Sequence, residues 1–252
     1  MSSVSVVPPG AAVEYPEGPR VPEGDLQTRR RMELVSALRA WLAGRPGGES
    51  AWVCTDINIY FEEGDPRVVV APDVAVAFGV DVEAVENRST YKVWEAGAVP
   101  VFALEIASHT TFKRDLRAKP AMFAALGVEE YWRLDPTGGD YFRPPLQGDA
   151  RRSGRWRSIE VSEEGDGGLR GRSEALGLDL CWQPPKLRLF DVATGRWLRD
   201  YDDQNAARVE AEGRALDAEG RALDAEARAE QAESARRALE AELDAMRRLR
   251  PQ

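Results

Sequence analysis

The sequence is poor in the residues from which many active sites are built. It holds two cysteines, Cys54 and Cys181, far apart, and one histidine, His109. Neither cysteine has a Cys or His at zinc-ligand spacing, which argues against a structural zinc site, and nothing supports a disulfide. A single histidine rules out a two-histidine metal centre and leaves little room for a Ser-His-Asp triad. No run approaches the roughly 18–20 apolar residues of a membrane span, so no membrane partner is expected. The first residues, Met-Ser-Ser-Val-Ser-Val-Val-Pro-Pro, lack a charged start and a long apolar core. No signal peptide is expected there, and a reducing, cytoplasmic setting is the default. Positive charge is not in excess either: 34 Lys and Arg stand against 43 Asp and Glu, a net charge of −9. The chain therefore lacks the broad basic surface of a tight, nonspecific nucleic-acid binder, although a local basic groove is compatible with it.

What is present suits one globular domain of about 200 residues with an appendage. Residues 1–24, rich in Pro, Gly and Ser, read as a flexible arm, residues 25–202 as the domain, and residues 203–252 as a separate charged segment. Met32, Leu34, Val35, Leu38, Trp41 and Leu42 recur at helical spacing and predict a helix over 26–43, stopped by Gly44, Pro46 and Gly47. The alternation Val53, Thr55, Ile57, Ile59, Phe61 predicts one strand over 51–61. A second strand is expected over 67–78, bent or bulged at Pro72. Residues 79–99 form a polar connection with room for a short helix. A third strand runs over 100–106, a helix over 115–126 that either kinks or starts regularly at Pro120, and a fourth strand over 128–134. Short β-like stretches follow at 141–142, 155–161, 176–182 and 187–192. They predict hairpins that extend the sheet or pack beside it. In the tail, Glu-Gly-Arg-Ala-Leu-Asp-Ala occurs at 212–218 and again at 219–225. This predicts a long charged helix with a mostly alanine stripe that ends in Leu239, Leu243 and Met246. A weak coiled coil and a solvated single helix are both open.

Two acids break the apolar runs. Asp73 lies in Val-Val-Val-Ala-Pro-Asp-Val-Ala-Val, and Glu105 closes Val-Phe-Ala-Leu-Glu-Ile. A carboxylate does not enter such a run for packing reasons, because burying it unpaired costs several kcal/mol, roughly. If the second and third strands are neighbours, both carboxylates can share a hard cation. Mg²⁺ takes oxygen ligands and usually keeps several waters. Asp73, Glu105 and the backbone carbonyl of Ile106 would supply such ligands, with Mn²⁺ as a substitute. A metal-bound water, a cation-stabilised phosphoryl oxygen and a nearby lysine together suit phosphodiester hydrolysis.

These residues and their order resemble the PD-(D/E)XK nuclease superfamily. Its core is helix, three strands, helix, strand, with an acid after Pro on the second strand and acid-X-Lys on the third. Here those positions read Pro72-Asp73 and Glu105-Ile106-Ala107. The closer resemblance is to the Uma-two family, bacterial proteins described as "putative restriction endonucleases". It rests on Ala71-Pro72-Asp73-Val74, on Leu104-Glu105-Ile106-Ala107-Ser108-His109-Thr110-Thr111, and on Asp115 through Lys119 to Gly127-Val128-Glu129-Glu130-Tyr131-Trp132-Arg133-Leu134-Asp135-Pro136. It covers roughly residues 25–200. The resemblance implies an α/β (α+β) restriction-endonuclease-like fold, a mixed central sheet flanked by helices, with added hairpins and the long C-terminal helix. It implies an endonuclease hydrolysing DNA with Mg²⁺. Cutting both strands is easiest with two sites, so a homodimer is expected, to which the tail could contribute.

The lysine of the superfamily's third strand is absent at Ala107, and the resemblance implies that Lys119 supplies the charge, with Lys113 as a fallback. Glu33 and Ser108 are candidates for supporting positions around the metal. His109 reads as a loop residue, Asp115 as a helix N-terminal acid, Asp56 as a solvent-facing acid, and Tyr131 and Trp132 as core. Arg151, Arg152, Arg155 and Arg157, interleaved with Trp156, form the one compact basic cluster outside the tail. They suit either a phosphate backbone or a solvated hairpin. The vacancy at Ala107 and the acidic charge keep a second reading open: a nuclease fold without activity, acting as a binding or assembly module through its helical tail.

Overall fold

The computed structural model describes residues 25–248, with side chains over 26–241. The arm expected at 1–24 and the stripe residues Leu243 and Met246 lie outside the described side chains. In chain order the elements are α1 (Asp25–Ala43), β1 (Ala51–Cys54), β2 (Asn58–Tyr60), β3 (Val69–Val70), β4 (Val74–Phe78), α2 (Val82–Val85), β5 (Thr90–Lys92), α3 (Val93–Ala96), β6 (Phe102–Ile106), α4 (Phe112–Arg117), α5 (Lys119–Leu126) and β7 (Glu130–Leu134). Then come β8 (Leu146–Arg152), β9 (Arg155–Ser158), β10 (Val161–Glu164), β11 (Gly168–Ser173), β12 (Leu178–Gln183), β13 (Lys186–Asp191), β14 (Arg196–Trp197) and α6 (Tyr201–Arg248). The chain divides into two units, Met1–Tyr201 and Asp202–Gln252.

In the first unit the central sheet runs β1-β4-β6-β7-β8-β9. Only β6 and β7 pair in parallel, and the helical crossover α4–α5 joins them. Helix α1, strands β1, β4 and β6, the α4–α5 pair and β7 reproduce the expected order of helix, three strands, helix, strand. The fold is the mixed α/β, restriction-endonuclease-like architecture.

Alternation divides this sheet into two faces. Val74, Val76, Phe102, Leu104, Ile106, Trp132 and Leu134 point into one core, shared with Leu34, Leu38 and Leu42 of α1 and with Leu178, Leu180, Trp182 and Leu189 of a second sheet, β10-β11-β12-β13-β14. Ala75, Ala77, Ala103 and Tyr131 face the other way, toward Phe123 of α5 and the small sheet β3-β2-β5. The odd-numbered positions that carry Asp73, Glu105 and Ala107 belong to this second face.

Several elements differ from the sequence expectation. The strand expected over 51–61 is two strands in two sheets, because Asp56 takes a left-handed backbone (φ 52) and turns the chain between β1 and β2. The strand over 67–78 divides in the same way around Pro72, into β3 and β4. Residues 141–142 form no strand, whereas β8 and β11 were not expected. The helix over 115–126 starts earlier, at Phe112, and breaks at Ala118, so that Pro120 falls in the first turn of α5, where its missing N–H costs nothing.

The second unit consists of α6 from Asp202 on. At 1.5 Å per residue the whole helix is about 72 Å long. Its exposed face carries i,i+4 ion pairs such as Arg208–Glu212 (2.7 Å) and Arg237–Glu233 (2.5 Å). Each is worth only about 0.3–0.5 kcal/mol. Leu216 and Leu223 stand 69% and 60% exposed. Among the described residues no helix is long and apolar enough to cross a membrane.

Candidate active site

The pairing of β4 with β6 decides the geometry. Val74 lies opposite Leu104 and Ala75 opposite Ala103, so one step further along the register sets Asp73 opposite Glu105. Both side chains line one cavity of about 420 Å³. Asp73 is fixed by its own neighbour strand: its Oδ2 accepts the backbone N–H of Ile106 at 2.6 Å, and its carbonyl accepts the Thr55 hydroxyl at 2.9 Å. Glu105 is 3% exposed, on a strand whose five residues are all buried.

Lys119 reaches into this cavity from the first turn of α5. Its Nζ lies 2.7 Å from Glu105 Oε1 and 2.9 Å from Asp115 Oδ1. Ala107, where the superfamily's lysine would stand, is 2% exposed and lines the same cavity. The cation therefore arrives from the helix side, at the place where a strand lysine would have arrived from below.

Asp115, read from the sequence as a helix-terminal acid, is 1% exposed and part of the cluster. The signal that could have found it is its spacing. It precedes Lys119 by four residues, so that on one helical face the two would meet. Gln27, on α1, was also missed. It is buried, lines the cavity and donates from Nε2 to the Ile106 carbonyl at 2.8 Å. It lies seven residues before Leu34 on the apolar stripe of α1, and a polar residue on such a stripe is the signal.

The Ile106 carbonyl, expected as a metal ligand, accepts from Nε2 of Gln27, a residue that lines the cavity, while the Ile106 side chain is buried in the core on the other face. One expectation needs correction. Glu33 does not support the site. It pairs with Arg30 at 2.7 Å and lines a separate crevice beside Lys186 and Leu187. Six residues beyond Gln27, it lies about 240° further round α1. Ser108 does line the cavity. Its hydroxyl lies 2.9 Å from that of Thr111 and 3.1 Å from that of Thr110, closing the turn between β6 and α4. His109 and Asp56 stand at the rim, with Asp56 3.8 Å from Arg31. Tyr131 and Trp132 are fully buried. In the basic hairpin, Arg151 donates to the Ala124 carbonyl, Arg152 pairs with Glu174 and Trp156 donates to the Pro120 carbonyl, which leaves Arg155 and Arg157 exposed.

The residues between Gly127 and Pro136 hold the scaffold rather than line the site. Gly127 (φ 93) ends α5 in a left-handed conformation that favours glycine. The buried Glu130 carboxylate accepts from Trp132 Nε1, the Ser173 hydroxyl and the N–H groups of Glu174 and Ala175, which joins β7 to the second sheet. Asp135 accepts from the N–H groups of Thr137, Tyr141 and Phe142 and shapes the loop at the cavity's edge.

Lys119 Nζ is shared by Glu105 and Asp115, and Asp73 acts on Glu105 across the strand pair. Burial pushes the Glu105 carboxyl well above its ordinary range, Lys119 opposes this, and Asp73 and Asp115 add to it. Burial works against the Lys119 ammonium, yet Glu105 and Asp115 outweigh it and hold its pKa above the ordinary value. The carboxylate oxygens of Asp73 and Glu105 facing one cavity are donors that a hard divalent cation fits, and a bound cation would favour the charged form of Glu105. Among the described residues no three His, Cys, Asp or Glu side chains stand ready as a full metal cage. Two carboxylates completed by waters match the usual habit of Mg²⁺.

The fold and this acid pair define a nuclease-like α/β protein. The chain belongs to the Uma2 family, described as "Putative restriction endonuclease", whose model matches residues 5–173. Among solved structures, the chain is similar to a "putative nuclease belonging to DUF820 from Anabaena variabilis ATCC 29413", with 13% identity and a TM-score of 0.40, over 63% of this chain and 80% of that one. No curated protein matches the chain.

Proposed function

We propose that the chain is a metal-dependent nuclease that hydrolyses phosphodiester bonds in DNA, with Asp73 and Glu105 as metal ligands and Lys119 as the catalytic cation. The observation that carries this reading is the registered pair Asp73 and Glu105 facing one cavity, with Lys119 Nζ 2.7 Å from Glu105. Mg²⁺, or Mn²⁺ in its place, is the cofactor the donor set suits. When bound, such a cation supplies a low-pKa water and stabilises charge on a phosphoryl oxygen.

The protein's own groups do the rest. The Ile106 N–H fixes one oxygen of Asp73, so the carboxylate does not have to be ordered when a ligand arrives. Lys119 holds positive charge with its side chain largely buried at the cavity, where it can orient the attacking water or offset charge that builds during bond cleavage. Cutting both strands of a duplex is easiest with two such sites, which a homodimer would supply.

The test is cleavage of supercoiled plasmid with Mg²⁺ or Mn²⁺. Asp73→Ala and Glu105→Ala should each lower the rate roughly 100-fold or more. Cleavage that survives both substitutions would sink the assignment. Calorimetry adds a second readout. If the folded protein takes up no Mn²⁺, the alternative gains: a nuclease fold serving as a binding or assembly module.

A further inference from the structure

Helix α4 carries two kinds of charge on two faces. Asp115 points inward to Lys119. Lys113, Arg114 and Arg117 are exposed, and among the described residues none of them makes an ion pair. At 100° per residue these three cations fall within an arc of about 100°, opposite Asp115. In the sequence they are interrupted by Asp115 and Leu116, so only the helix gathers them into a ridge. Other exposed arginines, such as Arg155 and Arg157 on the hairpin, also lack an acid partner among the described residues. What sets α4 apart is that three cations share one face of a single short helix beside the cavity, on a chain with a net charge of −9.

The ridge is also continuous with the cavity mouth. Tyr141 lines the cavity, its ring stacks on Phe112 at 5.4 Å, and Lys113 Nζ lies 5.7 Å over the Phe112 ring. A strand leaving the cavity over Tyr141 meets Lys113 first, and Arg117 one turn further along. Arginine's planar fork suits phosphate oxygens, and its charge is not lost at any working pH.

We propose that the outer face of α4, Lys113, Arg114 and Arg117, is a docking surface for the phosphate backbone of duplex DNA flanking the bond at the cavity. This rests on the nuclease reading for the identity of the polyanion. The contacts carry no base information. They hold the duplex in place while the cavity acts.

The experiment measures binding of a fluorescein-labelled DNA duplex by anisotropy, in EDTA, across a series of KCl concentrations. The full-length protein is compared with a Lys113→Gln/Arg114→Gln/Arg117→Gln variant. An Arg155→Gln/Arg157→Gln variant controls for loss of exposed charge elsewhere. The triple variant should lose at least about tenfold in affinity near 0.1 M KCl, and the slope of log K against log salt above that concentration should shrink by about two to three. The control should move both by less than half as much. If the triple variant does not fold by circular dichroism, Arg117→Gln alone should shrink the slope by about 0.9. Equal affinity and slope in wild type and ridge variants overturn the proposal, as does wild-type protein that binds no duplex or prefers poly-glutamate. Plasmid cleavage with Mn²⁺, run in parallel, separates the two ideas. A ridge-dependent isotherm without cleavage upholds the ridge and removes the nuclease reading. Cleavage with an unmoved isotherm does the reverse.

Discussion

A carboxylate buried beside an ammonium both anchors it and competes with whatever else the ammonium serves. Asp115 does this to Lys119 at 2.9 Å, while its second oxygen, Oδ2, has no hydrogen-bond partner among the described residues. The long lysine side chain has several rotatable bonds, and Asp115 limits where its Nζ can go. Asp115→Asn keeps the shape and removes the charge. Because Lys119 keeps Glu105 as a partner at 2.7 Å and the buried Asp115 Oδ2 has no hydrogen-bond partner among the described residues, the substitution should leave stability to urea unchanged or slightly higher. Cleavage at saturating Mn²⁺ should still fall by about 10–100-fold, as a displaced Lys119 misplaces the reacting groups. A variant as fast as wild type would show that Lys119 needs no such anchor. The candidate site was legible at Asp73, Glu105 and Lys119 because acids inside apolar runs and a motif with a gap at Ala107 are visible in one dimension. Asp115 was not, because the six-residue α4 is too short for a face to be read, and Gln27 was not, because it stands at the start of α1, one turn before the apolar stripe becomes regular. A backbone carbonyl has no signature of its own in the sequence either, and only packing shows that Gln27 reaches that of Ile106.

At the scale of elements, α1 is tied to the second sheet by one acid. Asp191, at the end of β13, accepts Trp41 Nε1 and an Arg45 guanidinium N–H, each at 3.0 Å, and the N–H groups of Ala193 and Thr194. Burial alone would raise its pKa. These donors outweigh burial and hold it below the ordinary value of 3.8. The folded-state pKa lies below the unfolded one, so its contribution is fully present above about pH 4 and is lost as pH falls through the folded value. Asp191→Asn should therefore cost roughly 2 kcal/mol at neutral pH. The difference from wild type should shrink on acidification below about pH 4. Urea unfolding across that range checks it, and a constant difference at all pH values would refute the linkage. The same scale shows what escaped the sequence. Strands β8 and β11 have weak β patterns because Gly148 and Gly171 sit where the Trp132 ring passes. A Cβ at Gly148 would lie 2.7 Å from that ring, and one at Gly171 2.8 Å. Residues chosen for a neighbour's bulk blur the alternation that marks a strand. The regular elements, α1, β6 and β7, were legible because their faces have consistent partners.

For the whole molecule, net charge and local charge oppose each other. At an ionic strength of about 0.01 M the screening length is about 30 Å, comparable to the domain itself, so an approaching duplex is repelled by the acid excess of residues 1–201, where 30 Asp and Glu stand against 25 Lys and Arg. Near 0.1 M it falls to about 10 Å, which hides distant carboxylates but leaves contacts within a few ångströms of Lys113, Arg114 and Arg117 effective. At higher salt those contacts weaken as well, through the return of condensed counterions to the duplex. DNA affinity should therefore pass through a maximum at roughly 0.05–0.1 M KCl, instead of falling from the lowest salt onward as it does for basic binders. Anisotropy titrations at several KCl concentrations below and above that range would show it. A steady decline from the lowest concentration would mean that the carboxylates of this chain are too far from the duplex path to matter. The ridge on α4 would then act alone, without having to overcome the charge of the molecule that carries it.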